Sequence, residues 1–160
     1  MLSKRKRTLI AAVAMVVSLL VGCSNDVADK VYDDNSKICK EYDTFGMDNS
    51  NEKVEQGLYK ANLKISGDTT IWEYKSDKDF DLKVPYNLSV KSGKGKIVLI
   101  SPDNKVTTLV EKSSKADNGG KESMMLSIKK GNNRIKLVGY KKADMNVEIH
   151  LDKGNFKTNS

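Results

Sequence analysis

Cys23 is the residue of this chain whose surroundings point most clearly to a chemical role. It follows a basic stretch, Lys4–Arg7, an apolar run, Leu9–Val21, and the small residue Gly22. A basic region, an apolar run and a small residue in this order are typical of a secretory signal and its cleavage site. The apolar run is shorter than the roughly 20 residues that a membrane-spanning helix needs. The thiol of Cys23 is the nucleophile at this site that is suited to forming a thioether.

The segment Leu20–Cys23 resembles the lipobox of bacterial lipoproteins, and the resemblance covers residues 1–24. It implies that residues 1–22 are removed, that Cys23 carries a diacylglyceryl group, and that the new N-terminus can receive a further acyl chain such as palmitate. Two or more acyl chains bind a bilayer stably, at about 0.8 kcal/mol for each buried methylene group. We therefore expect the lipid bilayer as a partner and the extracytoplasmic face of a cell membrane as the location. The lysine-rich and asparagine-rich composition favours a Gram-positive source.

The rest of the sequence does not predict catalysis, a metal site or a cofactor. His150 is the only histidine, and its alternating strand pattern predicts a solvent-facing side chain rather than a general base. Asp77, Asp79 and Asp81 alternate as calcium ligands do, but the glycine and final glutamate of an EF-hand loop are missing. Asp103 is a candidate carboxylate by type only. We expect no enzyme activity, no metal and no cofactor, and a carboxylate pair assembled from distant strands stays open.

Aromatic residues give the remaining candidate site. Trp72 is the only tryptophan and shares a strand face with Tyr74. Alternate residues of Arg134–Tyr140 are expected to face outward and to form a strip of cationic, apolar and aromatic groups. Exposed rings on a β-sandwich can stack on sugar rings, whereas a lone sandwich tryptophan is commonly a core residue. The candidate ligand contacts are Trp72, Tyr74, Arg134 and Tyr140, with the core as the alternative place for Trp72.

These candidates lie on segments whose apolar residues alternate with polar ones, the pattern of half-buried strands. The alternating runs are residues 70–75, 80–84, 86–91, 124–129, 134–137 and 145–152. Turn-forming residues separate the runs at 66–68, 92–95, 101–104, 130–133 and 141–144. About nine short strands spaced in this way predict an all-β fold, an antiparallel β-sandwich with jelly-roll or Greek-key connections.

The predicted organisation of the chain has four parts. Residues 24–57 are polar, with single apolar residues and little periodicity, which indicates a spacer. Removal of residues 1–22 leaves enough chain for one domain with its own core. The parts are a signal peptide at 1–22, a lipidated N-terminus and polar spacer at 23–57, a β-sandwich domain at 58–156 and a C-terminal tail at 157–160.

The charge balance argues against a nucleic-acid partner. The formal net charge is +7, and the four positive charges of residues 1–22 are removed with the signal, which leaves about +3. Apart from Arg5 and Arg7, Arg134 is the only arginine, and arginine forks are what read phosphates and guanine bases. Acylation of Cys23 would leave Cys39 without an intramolecular partner, and we interpret Cys39 as an incidental free cysteine rather than as a reactive thiol or part of an intermolecular disulfide.

Together these patterns favour a membrane-anchored, non-catalytic β-sandwich that acts as a binding or interaction module. The run Gly131–Gly139, followed by a hairpin into Met145–Leu151, is similar to the closing strands of jelly-roll modules, which carbohydrate-binding modules use widely. That resemblance implies, as an alternative, a carbohydrate-binding module of the cell envelope. The expected partner is then a cell-wall glycan, or else another envelope protein. An envelope hydrolase and an envelope assembly subunit are further alternatives, and no oligomeric state is predicted.

Overall fold

The alternating runs form long β-strands. The computed structural model describes residues 27–115 and 120–158. Valine, isoleucine, threonine and aromatic residues favour extended backbone there, because their side chains pack well on a pleated surface. The elements are α1 (Asn35–Ile38), β1 (Thr44–Glu55), β2 (Leu58–Ser76), β3 (Phe80–Ile100), β4 (Val106–Ser113), β5 (Glu122–Ile128), β6 (Gly131–His150) and β7 (Asn155–Phe156).

All strand pairs among the described residues are antiparallel. The strand order is β1-β2-β6-β3-β4, and β5 and β7 add to β3 and β2. The strand β6 inserts between β2 and β3, so the sheet is not a simple meander. This return of a late strand between two earlier ones agrees with the predicted Greek-key type of connection.

The three longest strands, β2, β3 and β6, have 19, 21 and 20 residues and bend in the middle. Their registers shift between Ile65 and Gly67 and between Val90 and Lys94. In β6 the bend contains Lys141 and Lys142, which have positive φ angles of 56° and 51°. The turns predicted at 66–68, 92–95 and 141–144 are therefore bends within continuing strands, and about nine predicted strands become seven.

The bends divide the sheet into two layers that pack face to face. Layer A contains β1, β5 and residues 58–65, 80–90 and 143–150, and layer B contains β4, β7 and residues 67–76, 94–100 and 131–139. One core cluster takes side chains from both layers, and the ring of Tyr59 in layer A stacks on Phe156 in layer B at 5.6 Å. The predicted antiparallel β-sandwich is confirmed.

The outer face of layer B is covered by residues 27–43, which we call the strap. Val31, Tyr32 and Ile38 are buried there against a second apolar cluster formed by Val98, Ile100 and Val138. At one end the backbone N–H of Lys141 donates to Asp29 Oδ1 at 2.8 Å. At the other end Arg134 donates to the carbonyl oxygens of Cys39 and Lys40, both at 2.8 Å. The strap therefore runs antiparallel to the layer B part of β6.

The polar spacer expected at 23–57 is not what the structure shows. Where these residues are described, they form the strap and β1. Residues 44–55 are a sheet strand, and the domain includes residues from 27 onward. The sequence pattern did not predict that residues 27–43 pack on the domain, because they contain only a few isolated apolar side chains. These few side chains are enough to cover the apolar outer face of layer B. Cys23 and the signal expected at 1–22 lie outside the described residues. Within the described part of the chain, no helix is both long and apolar enough to cross a membrane.

A buried lysine joins the end of the strap to the sandwich. Lys136 is 0% exposed, and its Nζ lies 2.6 Å from Asp68 Oδ2 and 3.0 Å from Asp43 Oδ1. It also donates to the carbonyl oxygen of Tyr42 at 3.2 Å. Asp43 accepts from the backbone N–H and the hydroxyl of Thr70, at 2.9 and 2.7 Å. Burial raises the pKa of Asp68, and the bond from Lys136 opposes this rise.

Three buried tyrosines donate hydrogen bonds to glutamates at the surface. The pairs are Tyr32 to Glu111 at 2.8 Å, Tyr59 to Glu52 at 3.3 Å and Tyr86 to Glu122 at 2.7 Å. Burial is the main cause that raises the pKa of each phenol, and the neighbouring carboxylate raises it further. For Tyr86 the pKa rises to about 12.

We expect Lys136→Met to destabilise the fold by about 3–5 kcal/mol, because it leaves the buried carboxylate of Asp68 without its cation. The free energy of unfolding in urea at pH 7 measures this loss. Lys105→Met, at an exposed lysine, should change it by less than about 0.5 kcal/mol. Adding Asp68→Asn to Lys136→Met should recover part of the loss. A Lys136→Met variant within 1 kcal/mol of the wild type would contradict this role of the ion pair.

We expect stability to fall as the pH rises above 10. An unfolded tyrosine ionises near pH 10, whereas the raised pKa keeps the folded phenol protonated, so ionisation favours the unfolded chain. The stability that each raised pKa contributes is fully present below pH 10. Above pH 10 the free energy of unfolding falls by up to about 1.4 kcal/mol per pH unit for each tyrosine. Urea unfolding between pH 9 and 12 should show a shallower fall for Tyr86→Phe than for the wild type. Parallel curves for the two proteins would show that Tyr86 has no such role.

Candidate functional site

Trp72 is a core residue, which corrects its place among the candidate ligand contacts. Its side chain is 0% exposed, and its Nε1–H donates to the carbonyl oxygen of Lys153 at 2.7 Å. Gly154 passes directly over the indole, where a Cβ would lie 2.6 Å from Cε2. The alternative of a core tryptophan is therefore the correct one.

The outward strip expected in Arg134–Tyr140 is covered by the strap. Lys136 and Val138 are both 0% exposed, which corrects their predicted exposure. Tyr140 packs against Tyr32 of the strap with ring centroids 5.6 Å apart. The strip therefore contacts residues of the same chain. The alternation of residues within one strand could not predict this, because the strap lies about 100 residues away in the sequence.

Tyr74 and Arg134 meet at an open cleft at the end of layer B that is opposite the bends. The cleft has a volume of about 650 Å³. It is lined by Glu41, Glu73, Tyr74, Lys75, Ser101, Pro102, Asn104, Asn132, Asn133, Arg134 and Asn155. Two of the four candidate contacts thus lie in one cleft, while Trp72 lies in the core and Tyr140 lies near the bends.

The walls of the cleft are held by local hydrogen bonds. Asn133 is 0% exposed, and its amide donates to the carbonyl oxygens of Lys129 and Gly131 at 2.7 and 3.0 Å, which fixes the turn before β6. Gly131 has a φ of 114°, and a Cβ there would lie 2.9 Å from Pro102. Asn104 accepts from Arg134 at 3.3 Å. Arg134 therefore ties three cleft segments together: β6, the loop at 101–105 and the end of the strap.

Tyr74, one of the lining residues, belongs to a row of packed rings. The Tyr74 ring lies 5.8 Å from that of Trp72 and 6.3 Å from that of Phe80, measured between centroids. These contacts fix its orientation, because the neighbouring rings are in or against the core. Tyr74 is partly exposed and is one of the residues that line the cleft.

The cleft carries both signs of charge. Its lining includes Glu41 and Glu73 as well as Lys75 and Arg134, and Glu73 pairs with Lys157 at 2.7 Å. The remaining polar lining is mostly amide groups, which both donate and accept hydrogen bonds. The lining described here contains neither histidine nor cysteine. Such a site can orient a polar ligand.

The candidate acids Asp79, Asp81 and Asp103 have separate hydrogen-bond donors. Asp79 accepts from the backbone N–H of Lys130, which with the bond from Lys129 lowers the pKa of Asp79. Asp81 accepts instead from Ser127 at 2.7 Å, and Asp103 from Ser101 at 2.5 Å. Across residues 27–115 and 120–158 no group of three or more His, Cys, Asp and Glu side chains could hold a metal ion.

His150 lies in a smaller cleft of about 290 Å³ in layer A, lined by Pro85, Tyr86, Asn87, Lys121, Glu148 and His150. Its Nε2 lies 2.7 Å from Glu148 Oε1, and this bond is the main cause that lowers the pKa of Glu148. The histidine side chain is exposed, in agreement with its predicted position on the strand.

Sequence reasoning missed most of the cleft. Glu41 was placed in the spacer, and Asn104 and Asn132 were interpreted only as turn residues. Asn155 lies on β7, a strand of two residues that is too short to produce a pattern. The usable signal was the asparagine-rich turns at 101–104 and 130–133, but nothing in the sequence brings these turns together.

No protein family model matches the chain, and no curated protein matches it either. Among solved structures, a carbohydrate-binding module of family 29 is similar at a TM-score of 0.40 with 10% identity, over 69% of this chain and 74% of that one. A variant of such a module complexed with mannohexaose has a TM-score of 0.41 with 12% identity, over 69% and 77%. A variant complexed with cellulohexaose has a TM-score of 0.39 with 10% identity, over 69% and 76%.

Proposed function

We propose that this chain is a lipid-anchored binding module on the extracytoplasmic face of a bacterial membrane, and that its cleft binds an uncharged, hydroxyl-rich ligand of the glycan class. The observation that carries the proposal is the cleft itself. Its lining includes Tyr74, whose ring is held by Trp72 and Phe80, together with several amides and balanced charges.

The tyrosine ring is suited to the apolar face of a sugar. A sugar ring presents C–H groups on its faces and hydroxyls at its rim, so it can stack on an aromatic ring while its rim forms hydrogen bonds. Contacts with Trp72 and Phe80 hold the Tyr74 ring in place before a ligand arrives. A preorganised contact costs less conformational entropy on binding than a mobile one.

The polar lining is suited to hydroxyl groups. A hydroxyl both donates and accepts, and the cleft offers carboxylate acceptors, cationic donors and amides that do both. An anionic or cationic ligand would be favoured by lining charges of one sign, whereas Glu41 and Glu73 are balanced here by Lys75 and Arg134. The balance favours a neutral ligand.

The lipid anchor is proposed from the sequence Leu20–Cys23 and from how soon the fold begins after it. Ala28 and Val31 are already buried in the strap. A cysteine at position 23 therefore precedes the first buried residue by a few positions only, as expected for a domain that is held close to a membrane by its N-terminus.

We expect the mature chain to bind at least one member of a panel of soluble neutral glycans, made up of glucose and mannose hexasaccharides and peptidoglycan fragments. Tyr74→Ala should weaken that binding about tenfold, because it removes the stacking surface, and Tyr74→Phe should keep it within about threefold. Titration calorimetry measures the affinities. Phe45→Ala, at an aromatic residue outside the cleft that is 41% exposed, is the matched control and should bind as the wild type does.

Two outcomes would overturn the glycan proposal. One is that no glycan of the panel causes heat or shifts the side-chain amide resonances of Asn104, Asn132 and Asn155. The other is that a glycan binds and Tyr74→Ala leaves its affinity unchanged, which would place the ligand elsewhere on the domain.

We expect the full-length chain, expressed in a bacterial host, to incorporate an alkyne-tagged fatty acid and to enter the detergent phase on partitioning. Cys23→Ser should abolish the label, because the thioether cannot form without the thiol. Cys39→Ser is the matched control and should keep both properties. Labelling of the Cys23→Ser chain, or none of the wild type, would show that Cys23 is not the lipid anchor.

A further inference from the structure

Lys136, Asp68 and Asp43 form a buried cluster in which one amine lies against two carboxylates. Lys136 Nζ is 2.6 Å from Asp68 Oδ2 and 3.0 Å from Asp43 Oδ1. The side chains of Lys136 and Asp68 are 0% and 1% exposed, and that of Asp43 is 18% exposed. An amine and a carboxylic acid are the two groups that condense to an amide, so the cluster contains both reactants of such a bond.

The two reactants belong to neighbouring strands. Lys136 on β6 lies opposite Thr70 on β2, and Asp68 lies two residues before Thr70. The two side chains are therefore diagonal neighbours on one face of the sheet. Because the carboxyl carbon of Asp68 is one C–O bond beyond Oδ2, it lies at most about 3.8 Å from the lysine Nζ. Reacting atoms that are held about 3–3.5 Å apart react much faster than the same groups in free solution.

The surroundings favour the uncharged forms that can react. An ammonium ion has no lone pair with which to attack, and a carboxylate is a poor acyl donor. Transfer of one proton from Lys136 to Asp68 converts the ion pair into a neutral amine and a neutral acid, and burial favours this transfer more than water does. Burial raises the pKa of Asp68, which is the required direction. Buried Val98 lies opposite Lys136 on β3 and gives the amine an apolar neighbour.

Asp43 is placed to move the remaining proton. Its Oδ1 is within hydrogen-bond distance of Lys136 Nζ, and the backbone N–H and hydroxyl of Thr70 hold its carboxylate in place. A carboxylate in this position can accept the proton that the nitrogen loses on attack and can donate it to the hydroxyl group that leaves.

We propose that an intramolecular amide bond joins Lys136 to Asp68 after the domain has folded, with Asp43 as the general base and acid. The Nζ of the neutral lysine attacks the carboxyl carbon of the neutral Asp68. The C–N bond forms, the C–OH bond breaks, and the hydroxyl group leaves as water with a proton from the amine. Asp43 returns to its starting form, and the reaction needs no oxidant, reductant or further reactant. The ion pair described above is the arrangement of the reactants.

The bond closes a covalent loop between β2 and β6. The loop runs from Asp68 to Lys136 and contains all of β3, β4 and β5. A cross-link of this kind restricts the unfolded chain, as a disulfide does, and so stabilises the folded one. Unlike a disulfide, it is not reversed by thiols. The inference goes beyond the proposed function and does not depend on the ligand of the cleft or on the lipid anchor.

Measurement of the intact mass tests the bond directly. The mature chain with Cys23→Ser is unfolded in denaturant, and its mass should be lower than that of its sequence by one water molecule. Proteolysis and tandem mass spectrometry should recover a branched peptide in which Lys136 is joined to Asp68. The ion pair of Lys129 and Asp79 is the internal control. Its N–O distance is 3.0 Å, but the side chains are 55% and 59% exposed, so no bond should form there.

Three variants test the roles of the groups. Lys136→Arg keeps the positive charge without the nucleophilic amine, so its mass should equal that of its sequence. Asp43→Asn removes the base and should slow the loss of water at least about 100-fold, as measured by the cross-linked fraction at fixed times after folding. Asp48→Asn, at an exposed aspartate that pairs with Lys142, is the matched control and should lose water as the wild type does. Circular dichroism checks that each variant folds.

The inference is overturned by any of three results. A folded wild-type chain with the full mass of its sequence would show that Lys136 and Asp68 remain an ion pair. A branched peptide that joins Lys136 to Asp43 would show that Asp68 is not the acyl partner. A folded Asp43→Asn chain that loses water as fast as the wild type would show that Asp43 is not the base.

Discussion

The buried ion pair between Lys136 and Asp68 is the interaction on which the strap, and through it the cleft, depends. A cation that is 0% exposed needs compensating anions, and Asp68 from β2 and Asp43 from the end of the strap provide them. The attachment is specific, because it requires a carboxylate at one defined place in the strap. Val98, Ile100 and Val138 form an apolar surface that the strap covers. The ion pair of Lys136 with Asp43 fixes the position of the end of the strap on that surface.

This attachment links parts of the molecule that are far apart in the chain. The strap begins beside the bends, crosses the outer face of layer B and ends at the cleft, where it contributes Glu41 to the lining. Arg134 completes the link by binding the carbonyl oxygens at the end of α1 and the side chain of Asn104. One continuous segment therefore both closes the core and builds a wall of the candidate site.

The strand pattern predicted the fold class well, because half-buried strands must alternate whatever they pair with. The alternating residues of layer A are buried as expected, from Val84 to Val90 in β3 and from Met145 to Ile149 in β6. The pattern was wrong about strand number, since Gly67 and Gly93 have the positive φ angles of turn residues but occupy bends in continuing strands. The candidate site was predicted only in part. Tyr74 and Arg134 line the cleft, and the asparagines beside them come from turns that only the folded sheet brings together.

By itself, the sequence determined that this is an antiparallel all-β domain, because the two-residue period of side chains is a local property of the strand. It also contains the signal-like segment ending at Cys23, from which the proposal of a lipid anchor derives. Only the tertiary structure decided which faces are covered, that Trp72 and Lys136 are buried, and that Tyr140 packs against the strap. The reason is physical: alternation divides a strand into two faces, but whether a face meets water, a second layer or a remote segment depends on contacts between residues far apart in the chain.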